Sequence, residues 1–139
     1  MKSIATIILV ASALLGAPAY AQEPEAIAKA EAAATAWLAL VDKNDYSGSW
    51  DRAADLFQST VSKISWEGAV RAARSPLGSV KARELKSAKF TRTLPGAPDG
   101  EYVVIQYTSK FEHKANAIET VTPLREKDGS WKVSGYFVK

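Results

Sequence analysis

The fold of this chain is decided around Ala36–Tyr46, the stretch AWLALVDKNDY. Apolar residues leading into it recur at three- and four-residue spacings, which is typical of one helix face: Ile27, Ala30, Ala34, Trp37, Leu38 and Val41. After the polar turn Lys43–Asp45 the same period resumes in Tyr46, Trp50, Ala53, Ala54 and Phe57. The sequence therefore predicts two amphipathic helices with a bend between them. The Asp45 carboxylate can accept from the free amides of the second helix and is its predicted N-cap.

A third, shorter helix is predicted after Ser62, which is its candidate N-cap. Trp66 and Val70 lie on its apolar side, and Arg74–Gly78 ends it because Pro76 disfavours a helical residue before it.

From Val80 onward the apolar pattern changes to the two-residue period of strands. The segment Val80–Thr93 breaks phase near Leu85, which predicts a bulge there. Three further strands are predicted, separated by turn-forming stretches: Glu101–Phe111, Asn116–Glu126 and a last strand on which Trp131, Val133, Gly135 and Phe137 share one side. Pro123 cannot donate to a ladder and therefore predicts an edge or a bulge.

Helices that all precede the strands indicate the α+β class. We expect N-terminal helices packed on a curved antiparallel sheet of about four strands, giving a cone-like shape.

The first 21 residues have the pattern of a signal peptide. Lys2 gives a positive start, Ile4–Leu15 is apolar but too short to span a bilayer, and Ala19-Tyr20-Ala21 is an A-x-A cleavage site. We therefore expect a single α+β domain over residues 22–139, located in the periplasm or secreted, with no transmembrane segment after cleavage.

Composition excludes several kinds of chemistry. The chain has no cysteine, so disulfides, thiolate catalysis and thiolate metal sites are excluded. His113 is the only histidine and lies in a predicted turn without a second ligand, so we expect a solvated loop residue and no metal. A net charge of +3 identifies no partner, and the expected export argues against nucleic acid. We expect no cofactor.

Several stretches of the chain resemble the bacterial family called domain of unknown function 4019. They are Ala36-Trp37-Leu38 with Asp45-Tyr46 and Trp50, Val61-Ser62-Lys63 with Trp66, Pro76-Leu77-Gly78, Pro95–Tyr102, Glu119-Thr120-Val121-Thr122, and Asp128–Val133 with Gly135-Tyr136. This resemblance implies no established activity. The order of elements also resembles the nuclear-transport-factor-2-like (SnoaL-like, cystatin-like) cone architecture, which hosts isomerases, dehydratases and binding domains, so the fold alone cannot choose among them.

A candidate pocket combines aromatic helix residues with polar strand residues: Trp37, Trp50, Gln106, Tyr107, Glu119 and Thr120. If the strand residues face the interior, Glu119 in an apolar cavity could act as a general base. The interpretation that we favour is a solvent-facing strand side with cross-strand pairs, and core packing for the tryptophans.

Basic residues are concentrated between Arg71 and Arg92, where Glu84 is the single acid. The candidate surface for an anionic partner consists of Arg74, Lys81, Arg83, Lys86 and Lys89. The alternative is that lysines protect an edge strand against aggregation.

Together these features favour an exported, non-catalytic binding module for a small ligand or an envelope component. The alternatives are a small-molecule isomerase or hydratase with a carboxylate base, and an interaction domain that uses the basic strand. A deep cavity around a buried carboxylate would favour the enzyme.

Overall fold

The computed structural model describes residues 19–139, with side chains from residue 23 onward. Four helices come first, then a short 3₁₀ turn, then four strands. They are α1 (Ala19–Asp42), α2 (Tyr46–Asp51), α3 (Asp55–Thr60), α4 (Lys63–Arg74), the turn Ser75–Leu77, β1 (Val80–Thr91), β2 (Tyr102–Phe111), β3 (Lys114–Arg125) and β4 (Trp131–Val138). The α+β prediction is confirmed. The predicted signal peptide lies largely outside the described residues, and α1 begins within its predicted cleavage motif.

The apolar stripe of α1 is buried as predicted: Ala30, Ala34, Trp37, Leu38 and Val41 are at most 3% exposed. The chain leaves the helix through Asn44, whose φ of 62° is in the left-handed region that asparagine tolerates better than most residues. Asp45 then caps α2 by accepting from the amide of Gly48 at 2.9 Å. The bend and its cap are therefore both confirmed.

The prediction of one continuous second helix through Phe57 is wrong. Ala54 adopts an extended conformation (φ −61°, ψ 151°) between α2 and α3. Its amide donates to the carbonyl of Val133 in β4 at 2.8 Å, and Ala53 and Ala54 are fully buried. A hydrogen bond to the sheet thus replaces the helical one, and the apolar period continues in a separate helix.

The third predicted helix is confirmed as α4. The Ser62 hydroxyl accepts from the amide of Ser65 at 3.2 Å, and Trp66 and Val70 are buried. Gly78, with φ of 75°, completes the exit into β1. Its missing side chain matters, because a Cβ there would lie 2.9 Å from Cβ of Glu112.

The four strands form one open antiparallel sheet in the order β1-β2-β3-β4, so β1 and β4 are its edges. The bulge predicted near Leu85 is present, with Lys86 as the extra residue, and a second bulge lies at Lys81. Pro123 lies in the interior strand β3, at a register shift against β4. Of the two predicted alternatives for Pro123, an edge or a bulge, the bulge is therefore correct.

The bulge against Pro123 also changes the phase of β4, because Ser134 is the extra residue. Val133 and Tyr136 consequently both face the helices, while Phe137 is 54% exposed on the opposite face. The prediction that Phe137 shares a side with Val133 is therefore wrong, since an inserted residue inverts the alternation beyond it.

Helices cover one face of the sheet, and an aromatic cluster fills the space between them. The rings of Trp37 and Tyr136 lie 5.4 Å apart, and Phe57 meets Trp66 edge-on at 4.9 Å. The fully buried Ser49 serves both indoles: its carbonyl accepts from Trp37 at 2.8 Å and its hydroxyl accepts from Trp66 at 2.9 Å. Among the described helices, none is long and apolar enough to cross a membrane.

Candidate functional site

Four charged side chains meet between the helices and the sheet, beside the aromatic cluster. Asp42 comes from the last residue of α1, Arg74 from the last residue of α4, Arg83 from β1 and Glu119 from β3. Glu119 is fully buried and the Arg74 side chain is 5% exposed, whereas Asp42 and Arg83 are about one-fifth exposed. We call these four residues the charge network. Its formal charges cancel.

Arg83 bridges the two carboxylates of the network. Its Nη1 and Nη2 donate to Asp42 at 2.8 and 3.0 Å. Its Nε and Nη2 donate to Glu119 at 2.8 and 3.2 Å. Because the guanidinium fork matches carboxylate geometry, one side chain ties the end of α1 to two strands.

Glu119 has no free hydrogen-bonding capacity. Its Oε1 accepts from Arg83 and from the Ser109 hydroxyl at 2.5 Å, and its Oε2 accepts from Arg83 and from the Tyr136 hydroxyl at 2.6 Å. Two bonds to each oxygen use about all the lone pairs of a carboxylate. Glu119 is thus held as a structural anion.

Arg74 is bound less completely than Arg83. Its Nη2 donates to Asp42 at 2.9 Å, and its guanidinium carbon lies 4.8 Å from the ring centre of Phe111. Its Nη1 is 3.5 Å from the Tyr136 hydroxyl and 3.9 Å from Glu119. Its buried Nε has no hydrogen-bond partner within the described part of the chain. This N–H is enclosed by the fold and does not face solvent.

The charge network shifts the pKa of Asp42 and that of the neighbouring Tyr136 in opposite directions. Burial by itself raises the pKa of Asp42, but hydrogen bonds from Arg83 and Arg74 and their charges outweigh it, so this pKa lies below its ordinary value of 3.8. Burial raises the pKa of Tyr136 strongly, and the Glu119 carboxylate raises it further. Asp42 therefore stays ionised and Tyr136 stays protonated over the physiological range.

A recess of about 280 Å³ opens beside the exposed end of the network. Asp42 and Arg74 belong to its walls, and the remaining lining residues are Asn44, Tyr46, Ser75, Gly78, Ser79 and Glu112. The Tyr46 hydroxyl donates to Oδ1 of Asn44 at 2.9 Å, which orients that amide and leaves its NH₂ group available. We call this space the polar recess.

The structure does not bring the candidate pocket residues together. Tyr107 and Glu119 are cross-strand neighbours on the helix-facing side, where Trp37 is also buried. Gln106 and Thr120 form the next pair and therefore lie on the opposite face of the sheet. The half-buried Trp50 donates to the carbonyl of Val61 at 2.9 Å, between the helices.

The predicted basic surface also divides into two groups. Lys81, Lys86 and Lys89 are exposed on the edge strand β1. Arg74 and Arg83, in contrast, are in the charge network, so the expectation that these two arginines belong to a surface for an anionic partner is wrong. The buried carboxylates attract these two guanidiniums inward, and a strand pattern alone does not reveal that pairing.

Sequence reasoning missed Asp42, Ser109 and Tyr136, and it preferred a solvent-facing Glu119. One signal was available: Glu119 has the same strand phase as Ala117 and Val121, which are both fully buried. A charged residue in the phase of core residues indicates a buried partner.

His113 lies in the turn between β2 and β3 and is 62% exposed, as expected. Within residues 19–139, no group of His, Asp and Glu side chains could hold a metal ion.

Comparisons with known proteins give a family and a fold. The family described as "Protein of unknown function (DUF4019)" matches residues 33–136. No curated protein sequence matches the chain. Among solved structures, Aln2 from a Streptomyces species is similar with a TM-score of 0.52 at 13% identity, over 84% of this chain and 90% of that one. At that identity the likeness concerns the fold, and it supports the SnoaL-like cone architecture.

Proposed function

The chain belongs to the DUF4019 family of proteins of unknown function, and from that premise we propose that it is a non-catalytic binding module for a small polar ligand. The proposed site is the polar recess. One observation carries this proposal: among the five main surface cavities of the described residues, the polar recess is the one lined by members of the charge network, Asp42 and Arg74. Ion pairs fix these two side chains, so a ligand would meet a preorganised wall.

The composition of the recess favours an uncharged ligand. Asp42 is already paired with two guanidiniums, and Glu112 adds a carboxylate at the wall. The guanidinium of Arg71 lies 5.5 Å from the centre of the Tyr46 ring and offsets that charge nearby. Asn44, Ser75 and Ser79 add neutral hydrogen-bonding groups. We therefore infer a hydroxyl- or amide-bearing ligand, near the lower end of the usual pocket size of about 300–1,000 Å³.

The enzyme hypothesis has less support. A general base needs a free lone pair within reach of the proton that it removes. Glu119 has four hydrogen bonds, and none of the five main surface cavities of the described residues is lined by it. The buried carboxylate is therefore better explained as a structural element.

We also propose that the domain is exported, to the periplasm or beyond. Support comes from the sequence of residues 1–21, with its positive start, apolar core and small-residue motif. Mass spectrometry of the exported protein should give Gln22 as the first residue. A mature chain that still begins at Met1 would refute export by cleavage.

The binding proposal is tested by saturation-transfer NMR with methyl glucoside, N-acetylglucosamine and acetamide as probes. We expect transfer to at least one probe. Ser79→Ala should reduce it, since the hydroxyl lines the recess while the backbone carbonyl that accepts from Glu112 is kept. Arg74→Lys should reduce it further, because lysine keeps the charge but cannot reproduce the planar donor geometry of the guanidinium.

The matched control is Ser87→Ala, which removes a hydroxyl from β1 away from the recess. Thermal unfolding of each variant first establishes that it is folded. The proposal fails if no probe shows transfer, or if Ser87→Ala reduces the signal as much as Ser79→Ala does.

A further inference from the structure

A groove separate from the polar recess lies between α1, α2 and β4, with a volume of about 410 Å³. Its wall on α1 consists of Ala33, Ala36, Trp37 and Leu40, which have the spacing of one helix face. Trp131 and Val133 of β4 form the opposite wall. The apolar face of α1 is therefore wider than the sheet covers. We call this space the α1–β4 groove.

Charge at the α1–β4 groove is predominantly positive. Three charged residues line it: Asp51, Arg52 and Lys132. The carboxylate of Asp51 is already paired with Lys63 at 2.8 Å. Within the described residues, no carboxylate lies within 4 Å of the cationic nitrogens of Arg52 or Lys132. Lys132 attracts the exposed Asp128 only from a greater distance, and the pKa of Asp128 falls chiefly through hydrogen bonds from Ser130.

We propose that the α1–β4 groove binds a medium-chain fatty acid anion. Apolar walls, to which the half-buried Trp131 contributes more surface than the 3% exposed Trp37, suit an alkyl chain because burying methylene groups is favourable. The cations Arg52 and Lys132 suit a carboxylate at one end, since opposite charges near a protein surface attract each other. The volume lies within the range of small-molecule pockets.

Titration with decanoate tests this site, because Trp37 and Trp131 line it and their fluorescence should respond. We expect saturable binding that weakens from decanoate to octanoate to hexanoate, by up to about fourfold for each methylene that is fully buried. Decanol, which has the same chain without the charge, should bind at least fivefold more weakly. Isothermal calorimetry on the same solutions provides a readout that is independent of fluorescence.

Two pairs of variants locate the site. Ala36→Glu places a carboxylate on the groove wall and should weaken decanoate binding at least tenfold, whereas Ala39→Glu makes the same change at an exposed α1 position outside the groove and should not. Arg52→Gln should weaken decanoate binding without affecting decanol, while Lys43→Gln, also exposed, should change neither.

Three results would overturn the proposal: no decanoate binding at 2 mM, decanol binding as tight as decanoate, or equal effects of Ala36→Glu and Ala39→Glu. Each would do so independently of the polar recess, because none of the four positions lines it.

Discussion

The space between the helices and the sheet has two halves that are filled by different chemistry. One half is aromatic, with Trp37, Trp66 and Phe57, and the other is the charge network. Tyr136 belongs to both: its ring lies 5.4 Å from that of Trp37, and its hydroxyl donates to Glu119 at 2.6 Å. Apolar packing is non-directional, so removing one aromatic leaves no uncompensated group behind. A buried charge is stable only with its partner, so the network should respond to change as a unit.

The largest effect is expected in the aromatic half. Trp37→Ala removes a side chain that is 3% exposed and should reduce the free energy of unfolding by about 3–5 kcal/mol. Trp37→Phe is the control, because it keeps an aromatic ring and loses the bond to the Ser49 carbonyl, and it should have a smaller effect. Urea denaturation measures both, and an unchanged midpoint for Trp37→Ala would contradict a packed aromatic half.

In the charge network, Arg83→Met should reduce the free energy of unfolding by a similar amount, about 3–5 kcal/mol. Unlike the loss from Trp37→Ala, this loss should be partly reversed by a second substitution. This change leaves Glu119 as a buried anion without its main partner. Adding Glu119→Gln should restore part of the stability, because the uncompensated charge is then gone. If the losses of the two single variants simply add in the double variant, the network does not act as a unit.

The two halves should also differ, by a smaller amount, in how the free energy of unfolding depends on pH. The pKa of Asp42 is lower in the folded than in the unfolded chain, so the unfolded state takes up protons first as the pH falls. The stability from Asp42 is therefore complete above about pH 4 and is lost as the pH falls through its folded-state pKa. Asp42→Asn should flatten the stability profile in acid, whereas Trp37→Phe should leave its shape unchanged. Denaturation at a series of pH values measures this, and parallel profiles would contradict it.

The smallest effect on stability is expected outside both halves, at the exposed lysines of β1. Reversing Lys86 and Lys89 to glutamate should change the free energy of unfolding by less than about 0.5 kcal/mol. If these lysines bind an anionic partner, the reversal should abolish capture from envelope extract, and wild-type binding should fall with salt. If they protect the sheet edge, apolar replacements should increase light scattering instead. The position of Lys81 and Lys86 at bulges of the edge strand supports the protective role. If neither the capture assay nor the light scattering changes, both roles are excluded.

Local patterns in the sequence were sufficient for most of the fold, because their physics acts within a few residues. The α1 stripe predicted which residues are buried, Asp45 and Ser62 predicted helix starts, and the phase break near Leu85 predicted a bulge. In each case the signal is a helical or strand period, a cap or a turn.

The candidate site depended on contacts that no local pattern encodes. Arg83 meets Glu119 and Asp42 across 36 and 41 residues of sequence, so whether Arg83 is an exposed strand cation or a buried bridge depends on how the elements assemble. The hydrogen bond from Ala54 to Val133 divided a helix whose apolar period was continuous, and the bulge at Ser134 exchanged Phe137 for Tyr136 in the interior. The sequence by itself determined which segments are helices and strands and most of their buried faces. Only the tertiary structure decided which charges are paired, because burial makes partners of groups that are far apart in the chain.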